Sequence, residues 1–568
     1  MLRPAPLMLR PAPLMLRPAP LTLLRLALAF GLAALPALSQ AQPLTRADTL
    51  RGSITPERAW WDVVFYDLHV RVDPEARRFE GRNGVTYRVT GPARDLQIDL
   101  QAPMRLTRAE QAGRALPVRR DGDVWYVSPA AGQDAGSLQT VTLYFEGAPR
   151  VAPNAPWDGG VVWQTDRDGA PWVATAVQGL GASAWWPVKD TQADQPDSQR
   201  VAVTVPDPLV NVSNGRLRSV TPNGDGTTTY EWFVSYPINN YNVAVNAGRY
   251  ARFQDTMEGE AGPLTLTFWP LAYNEPLARV QFRQVPHMIA CFEHWFGPFP
   301  WYADGFQVVE TPHLGMEHQS ANAYGNRYRQ GYLGRDLSGT GRGLSWDFIL
   351  AHEMAHEWWG NNITTADIAD MWVHEAFANY AENLYVECQQ GAEAGAEYVI
   401  GLRASIRNDI PIIGPYGVNR RGSADMYNKG GNMLHTIRQL VGDDARWRAT
   451  LRGLNETFRH QVVTGADVQR YMSAATGLDL DAVFRQYLTT TDIPTLHVQR
   501  EGARLRYRWT DVVEGFAMPV RVFAGGQAVL LTPTAAWQET VLPGSPLPGE
   551  AGLELDPNYY VRARFEGA

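Results

Sequence analysis

The sequence predicts a multidomain α+β protein: an N-terminal β saddle or sandwich, a mostly helical middle domain, and a small C-terminal β domain. Three observations predict it. At 568 residues the chain exceeds what one hydrophobic core usually supports. The apolar spacing changes period twice, from strand-like to helical and back. Turn residues and prolines fall where the period changes.

The N-terminal residues read as an export signal. Met-Leu-Arg-Pro-Ala-Pro-Leu begins at Met1, Met8 and Met15, which reads as a duplicated start region with Met15 as an alternative start. Leu26 to Leu38 is an apolar stretch after Arg25, followed by Ser39-Gln40-Ala41 with small residues at −3 and −1. Cleavage after Ala41 removes four arginines and no acids, which takes the net charge from −8 to −12. The alternative is an uncleaved membrane anchor, for which the apolar run is short. The expected destination is therefore periplasmic or extracellular.

From residue 42 to about 253 the text is strand-like. Trp61 to Val72 alternates late in its run, Val201 to Val205 stops at Pro206, and Asn223-Gly224-Asp225-Gly226 is a turn between such runs. Helical spacing dominates the stretch 254–492. After Ile493-Pro494 strands return at Leu505–Trp509, Val520–Phe523 and Ala528–Leu531, giving a domain over 493–568.

Composition excludes some functions. The acidic balance argues against a nucleic-acid partner. Nothing after the leader is long and apolar enough to cross a bilayer, and with no coiled coil or apolar stripe a monomer is expected. Cys291 and Cys388 cannot build a disulfide framework; both fall in predicted helices and read as two separate buried thiols. Lys189 and Lys429 are the only lysines, every other basic residue being Arg, which hints that a compact ammonium is wanted at those positions.

The chemistry lies in His352-Glu353-Met354-Ala355-His356, followed after eighteen residues by Glu375. On a helix, residues four apart share a face, so both imidazoles can reach one metal ion while Glu353 stands beside it. Glu375 falls on a second helical pattern, Met371 to about Cys388, with Asn379 and Glu382 on the same stripe. Ser345 is a plausible N-cap for the first helix and Gly360-Asn361-Asn362 a stop. Two neutral nitrogens and one carboxylate suit a single Zn²⁺ with a fourth position open for water. Glu353 is placed to serve as general base.

The strings His352 to Asn361 and Trp372-Val373-His374-Glu375-Ala376-Phe377-Ala378-Asn379-Tyr380 resemble the gluzincin aminopeptidases of the aminopeptidase N and leukotriene hydrolase type. Leu314-Gly315-Met316-Glu317-His318 is similar to the family's Gly-x-Met-Glu-Asn, and Tyr427-Asn428-Lys429-Gly430 to its Tyr-x-Lys-Gly. Gln178, ahead of Trp185-Trp186-Pro187-Val188-Lys189-Asp190, matches a β-domain residue that reaches the active site. The chain departs from the pattern at Ala376, where members typically have Gly, and at Leu314 and His318. The large helical C-terminal domain of many members has no counterpart in the short β tail.

The resemblance implies a thermolysin-like catalytic domain and a zinc metalloaminopeptidase acting on peptides with a free N-terminus. His352, His356 and Glu375 would hold zinc, with Glu353 as general base and Tyr427 stabilising the oxyanion. Glu317, with Gln178, would bind the substrate's α-ammonium on the loop that includes Gly315 and Met316. Asn379 and Glu382 are candidates to hydrogen-bond the ligand histidines. Two rivals remain: a thermolysin-type endopeptidase, and a peptide-binding module that has lost catalysis.

Overall fold

The computed structural model describes residues 43–542 and 552–566; the export signal lies outside the described residues. Trp61–Asp73 is a long strand whose side chains alternate between interior and surface, and it pairs antiparallel with Arg78–Val89. A bulge between Val63 and Phe65 locally breaks the alternation. On its other edge the same strand pairs parallel with Ser198–Pro206, in register Leu68 with Val201. These strands are central to an eight-stranded sheet, and Asn223–Gly226 turns the hairpin of Arg216–Pro222 and Thr227–Val234, as its glycines require.

A four-stranded sheet including Gly160–Thr165 and Pro171–Ala176 packs against it over Trp185, Trp186, Val201 and Val203. Lys189 is buried between these layers. Its ammonium donates to Trp61 O and Asp194 and lies 4.4 Å above the Trp61 ring, so it orders structure.

The second half begins with a five-stranded sheet. Its strands run Phe253–Gly259, Gly262–Trp269, Phe306–Glu310, Asn322–Tyr324 and Gly315–Met316, the last forming the edge. Helices α1 (Val285–Phe296) and α2 (Phe348–Ala355) pack on it, α3 (Trp372–Gln390) packs on both of them, and α4 (Asn428–Val441) packs on α3. Trp358, Trp359, Trp372 and Phe377 fill the space between them.

Three expectations are corrected here. The N-cap of α2 is Asp347, whose Oδ1 accepts from Ile349 N and Leu350 N; Ser345 lies two residues too early. The helix ends at Ala355 rather than at Gly360, because the chain turns immediately after His356. Cys291 and Cys388 are joined in a disulfide between α1 and the end of α3. Both were placed on helices correctly, but sequence spacing could not show that those helices lie side by side.

The C-terminal strands share a core with the helices: Leu496, Leu505 and Trp509 belong with Trp447 and Phe484. They also brace α4 from behind. His435 Nε2 lies 2.9 Å from Asn558 Oδ1, and Tyr560 N donates to Thr436 Oγ1 at 3.0 Å.

Candidate active site

Helix α2 is short, buried and well anchored. Asp347 takes two backbone N–H groups at its start and also accepts from Gln281, Tyr324 and Asn326, which ties the helix to the sheet. His352 and Glu353 therefore leave a fixed backbone. His356 caps the helix, and the turn behind it brings Trp359 O to 2.8 Å from His356 Nδ1. His352 Nδ1 lies 2.8 Å from Glu382 Oε1 on α3.

Those two contacts settle the tautomers. A carbonyl and a carboxylate oxygen only accept, so both Nδ1 atoms carry the proton and both Nε2 atoms present lone pairs. The lone pairs face each other at 3.3 Å, and Glu375 Oε2 lies 3.4 Å from His356 Nε2 and 3.7 Å from His352 Nε2. Glu375 Oε2 is buried without a hydrogen-bond donor. Three acceptors at this spacing repel unless a cation lies between them.

The triangle also fits a particular cation. Bonds of about 2.0–2.1 Å around a tetrahedral Zn²⁺ put neighbouring ligand atoms about 3.3–3.4 Å apart. Two of the observed edges, 3.3 and 3.4 Å, match, and the third, 3.7 Å, is slightly longer. Burial opposes charge at His352, while the carboxylates of Glu375 and Glu382 favour a positive charge beside them, which a bound cation would supply with the imidazole itself neutral. His352, His356 and Glu375 thus meet the requirements of a zinc site.

Glu382 is fully buried; its Oε2 accepts from Tyr398 OH at 2.9 Å and it lies 3.4 Å from Asn379 Nδ2. Of the two candidates on this stripe, Glu382 touches a ligand histidine, whereas Asn379 touches Glu382. Glu353 points into the same cleft, and burial pushes its carboxyl up to about 8. Gly315 passes directly beside it. A Cβ there would overlap Glu353 Oε1 and come within 2.8 Å of Ile349 Cγ2, so only glycine lets the edge strand lie this close.

Glu317 follows that edge strand and is 3 % exposed. Its Oε1 accepts from Gln178 Nε2 at 2.5 Å and from Tyr241 OH at 2.9 Å, both from the N-terminal β part. Gln178 Nε2 also lies 3.2 Å from Glu375 Oε1. A carboxylate oxygen of Glu317, one of Glu353 and a nitrogen of His356 lie within 4.8 Å of one another. The backbone of this segment is held as well. Asn361 Nδ2 donates to Glu317 O, and Glu357 accepts from Ser320 N and Asn322 Nδ2. Met316 lies in a small apolar cluster with Ala176 and Ala323.

Tyr427 precedes α4, and its ring stacks at 6.0 Å on the His352 ring. Burial raises its phenol well above the ordinary range, with the Glu375 carboxylate adding to the effect, so the hydroxyl remains a donor. Lys429 turns away from the site: its Nζ donates to Thr490 O at 2.8 Å. Gly430 faces Ala376, and a Cβ at Gly430 would lie 2.5 Å from the Ala376 Cβ, so Gly430 makes room for the methyl that departs from the family pattern. Leu314 lines the cleft, whereas His318 is wholly buried away from it. The cleft encloses about 350 Å³.

Residues 282–487 match the family described as Peptidase family M1 domain. This segment is similar to an M1 peptidase domain. The chain is similar to the probable aminopeptidase 1 of Sulfurisphaera tokodaii, 23 % identical over 310 residues, covering 52 % of this chain and 38 % of that protein. It is similar to the aminopeptidase N of Lactococcus lactis subsp. lactis, 27 % identical over 220 residues, covering 35 % of this chain and 26 % of that one. The chain thus spans well under half the length of these relatives. Among solved structures it resembles an M1 zinc metallopeptidase mutant from Deinococcus radiodurans bound to a Tyr-Ser-Ala substrate. That likeness has a TM-score of 0.64 and 22 % identity, covers 78 % of this chain and 98 % of that one, and concerns the fold.

Sequence reasoning missed Tyr241, which sits in the polar run Asn239-Asn240-Tyr241-Asn242 with no periodic signal. It also missed Asp347 as the cap of α2, although an Asp immediately before an apolar run is a cap signal.

Proposed function

We propose that the protein is an exported, zinc-dependent aminopeptidase that removes N-terminal residues from peptides with a free α-amine. Zinc held by His352, His356 and Glu375 would act as a Lewis acid on the scissile carbonyl and on the attacking water. Glu353 takes the proton from that water and returns it to the leaving amine. The Tyr427 hydroxyl donates to the oxyanion as the carbonyl carbon becomes tetrahedral.

One observation carries the exopeptidase reading. The Glu317 carboxylate lies within 4.8 Å of His356 and Glu353 atoms, beside the reacting position. In a peptide the α-nitrogen is only two bonds from the first carbonyl carbon. A cation bound to Glu317 therefore presents the first peptide bond and no later one. Charge-assisted bonds make this pairing strong, and an acylated amine would leave the buried carboxylate without its cation. An endopeptidase would need room for further residues where Gln178, Tyr241 and Glu317 close together.

Export is supported by the Cys291–Cys388 disulfide, since such bonds persist mainly in oxidising compartments. Among the described residues no helix is long and apolar enough to cross a membrane.

The test is Glu353→Gln with leucyl-p-nitroanilide as substrate. The variant should bind one zinc per chain and show no turnover, while chelator abolishes wild-type activity and zinc restores it. A zinc-loaded variant of normal activity would contradict the mechanism.

A further inference from the structure

The cleft has a second charged feature, opposite in sign to the Glu317 end. Arg407 and Arg421 both line it and both are exposed. They lie on two arms of one loop, and the loop is pinned. Asp425 accepts Arg407 N at 2.9 Å and Asn408 N at 2.5 Å, which uses its carboxylate on backbone. Ser423 Oγ donates to Asp409 Oδ1 at 2.6 Å and Ser423 N to Pro411 O at 2.9 Å, closing the arms together. Gly422 lies so close to Ile412 O that any Cβ would collide with it.

Two cations thus stand on one backbone-pinned loop at the cleft, while Asp425 is taken up by backbone N–H groups and Asp409, which Arg407 also attracts, accepts from Ser423. Among the described residues neither guanidinium has an ion-pair or hydrogen-bond partner. Like charges on one short loop repel, and an anion between them removes the repulsion and supplies fork-shaped acceptors. Arg421 also acts electrostatically on Tyr427, which places it on the Tyr427 side of the cleft.

We infer that Arg407 and Arg421 form a carboxylate subsite for the part of the peptide beyond the bond being cut. This rests on the aminopeptidase reading, in which Glu317 takes the amine. The cleft is then polarised to match a short zwitterionic peptide, ammonium at Glu317 and carboxylate at the arginines. A volume of about 350 Å³ suits a substrate of a few residues. Trp157, 57 % exposed, and Leu337, 40 % exposed, give the same mouth an apolar rim for intervening side chains. The carboxylate can come from the C-terminus of a tripeptide or from an acidic side chain.

The zinc-loaded enzyme is assayed on Leu-Ala-Ala, its C-terminal amide, and Leu-Ala-Asp amide, with leucyl-p-nitroanilide alongside. The same series is run on Arg407→Gln/Arg421→Gln and on the double Lys variant. The free acid should show a KM at least tenfold below that of its amide, with kcat similar. In the double Gln variant the KM ratio of acid to amide should approach one, and the Lys variant should recover part of it. A low KM for Leu-Ala-Asp amide supports the subsite and extends it to side-chain carboxylates. Equal KM for acid and amide in the wild type, or an undiminished ratio in the double Gln variant, overturns the subsite alone. Absence of hydrolysis of every substrate, nitroanilide included, overturns the aminopeptidase reading and the subsite with it.

Discussion

Glu382→Ala tests whether α3 sets the metal affinity from behind the ligands. In the native structure the carboxylate fixes the His352 tautomer through a 2.8 Å bond to Nδ1 and is itself held by Tyr398 OH at 2.9 Å. Removing it leaves the Nδ1–H without its carboxylate acceptor at a wholly buried position. The imidazole can then rotate or shift its proton to Nε2, the atom the metal needs. Loss of such a supporting partner lowers metal affinity by about 10–100-fold, about 1.4–2.7 kcal/mol. Glu382→Gln keeps an acceptor oxygen and loses only charge, so its loss should be smaller. Competition with a zinc-binding dye gives both dissociation constants, and circular dichroism confirms that each variant is folded. A folded Glu382→Ala protein with native zinc affinity would refute the reasoning, because His352 would then need no fixed tautomer.

Further outcomes follow from the cleft. Tyr427→Phe should leave KM nearly unchanged and lower kcat by two to three orders of magnitude, the cost of about 3–4 kcal/mol for a lost oxyanion donor; steady-state kinetics on leucyl-p-nitroanilide reads it, and unchanged kcat would remove Tyr427 from the chemistry. Gly315→Ala puts a methyl where Glu353 Oε1 now lies. It should cut kcat at least tenfold while zinc stays bound, as measured by metal content beside turnover. Tyr241→Phe strips Glu317 of one of its two side-chain donors, a bond to a charged group worth about 1.5–3 kcal/mol. It should raise KM for free-amine substrates by roughly tenfold or more, with a smaller change in kcat; an unaltered KM would show that Gln178 alone positions the carboxylate.

Much of this site was legible in the sequence, for a physical reason. His352, Glu353 and His356 are neighbours within one helical turn, so their convergence is local geometry, and α3 carries Glu375 and Glu382 at helical spacing. The strand runs at Trp61 and Val201 and the turn at Asn223–Gly226 likewise followed from period and turn chemistry. What escaped was tertiary. Tyr241 reaches Glu317 across 76 positions of sequence, and nothing local marks it. Cys291 and Cys388 meet because α1 and α3 pack together, which two isolated helical patterns cannot reveal. The early end of α2 depends on a turn that serves His356 through Trp359 O, and the Gly360 signal obscured it.

The claim that matters most is that Glu317 reads a free N-terminus. Its direct measurement is kcat/KM for Leu-Ala-Ala against N-acetyl-Leu-Ala-Ala with the zinc-loaded protein, monitoring scission of the Leu–Ala bond. Leaving a buried carboxylate without its cation costs about 2–5 kcal/mol, so the free peptide should be preferred from about thirty-fold to several thousand-fold. Equal kcat/KM on the two peptides would contradict the account and return the site to the endopeptidase reading.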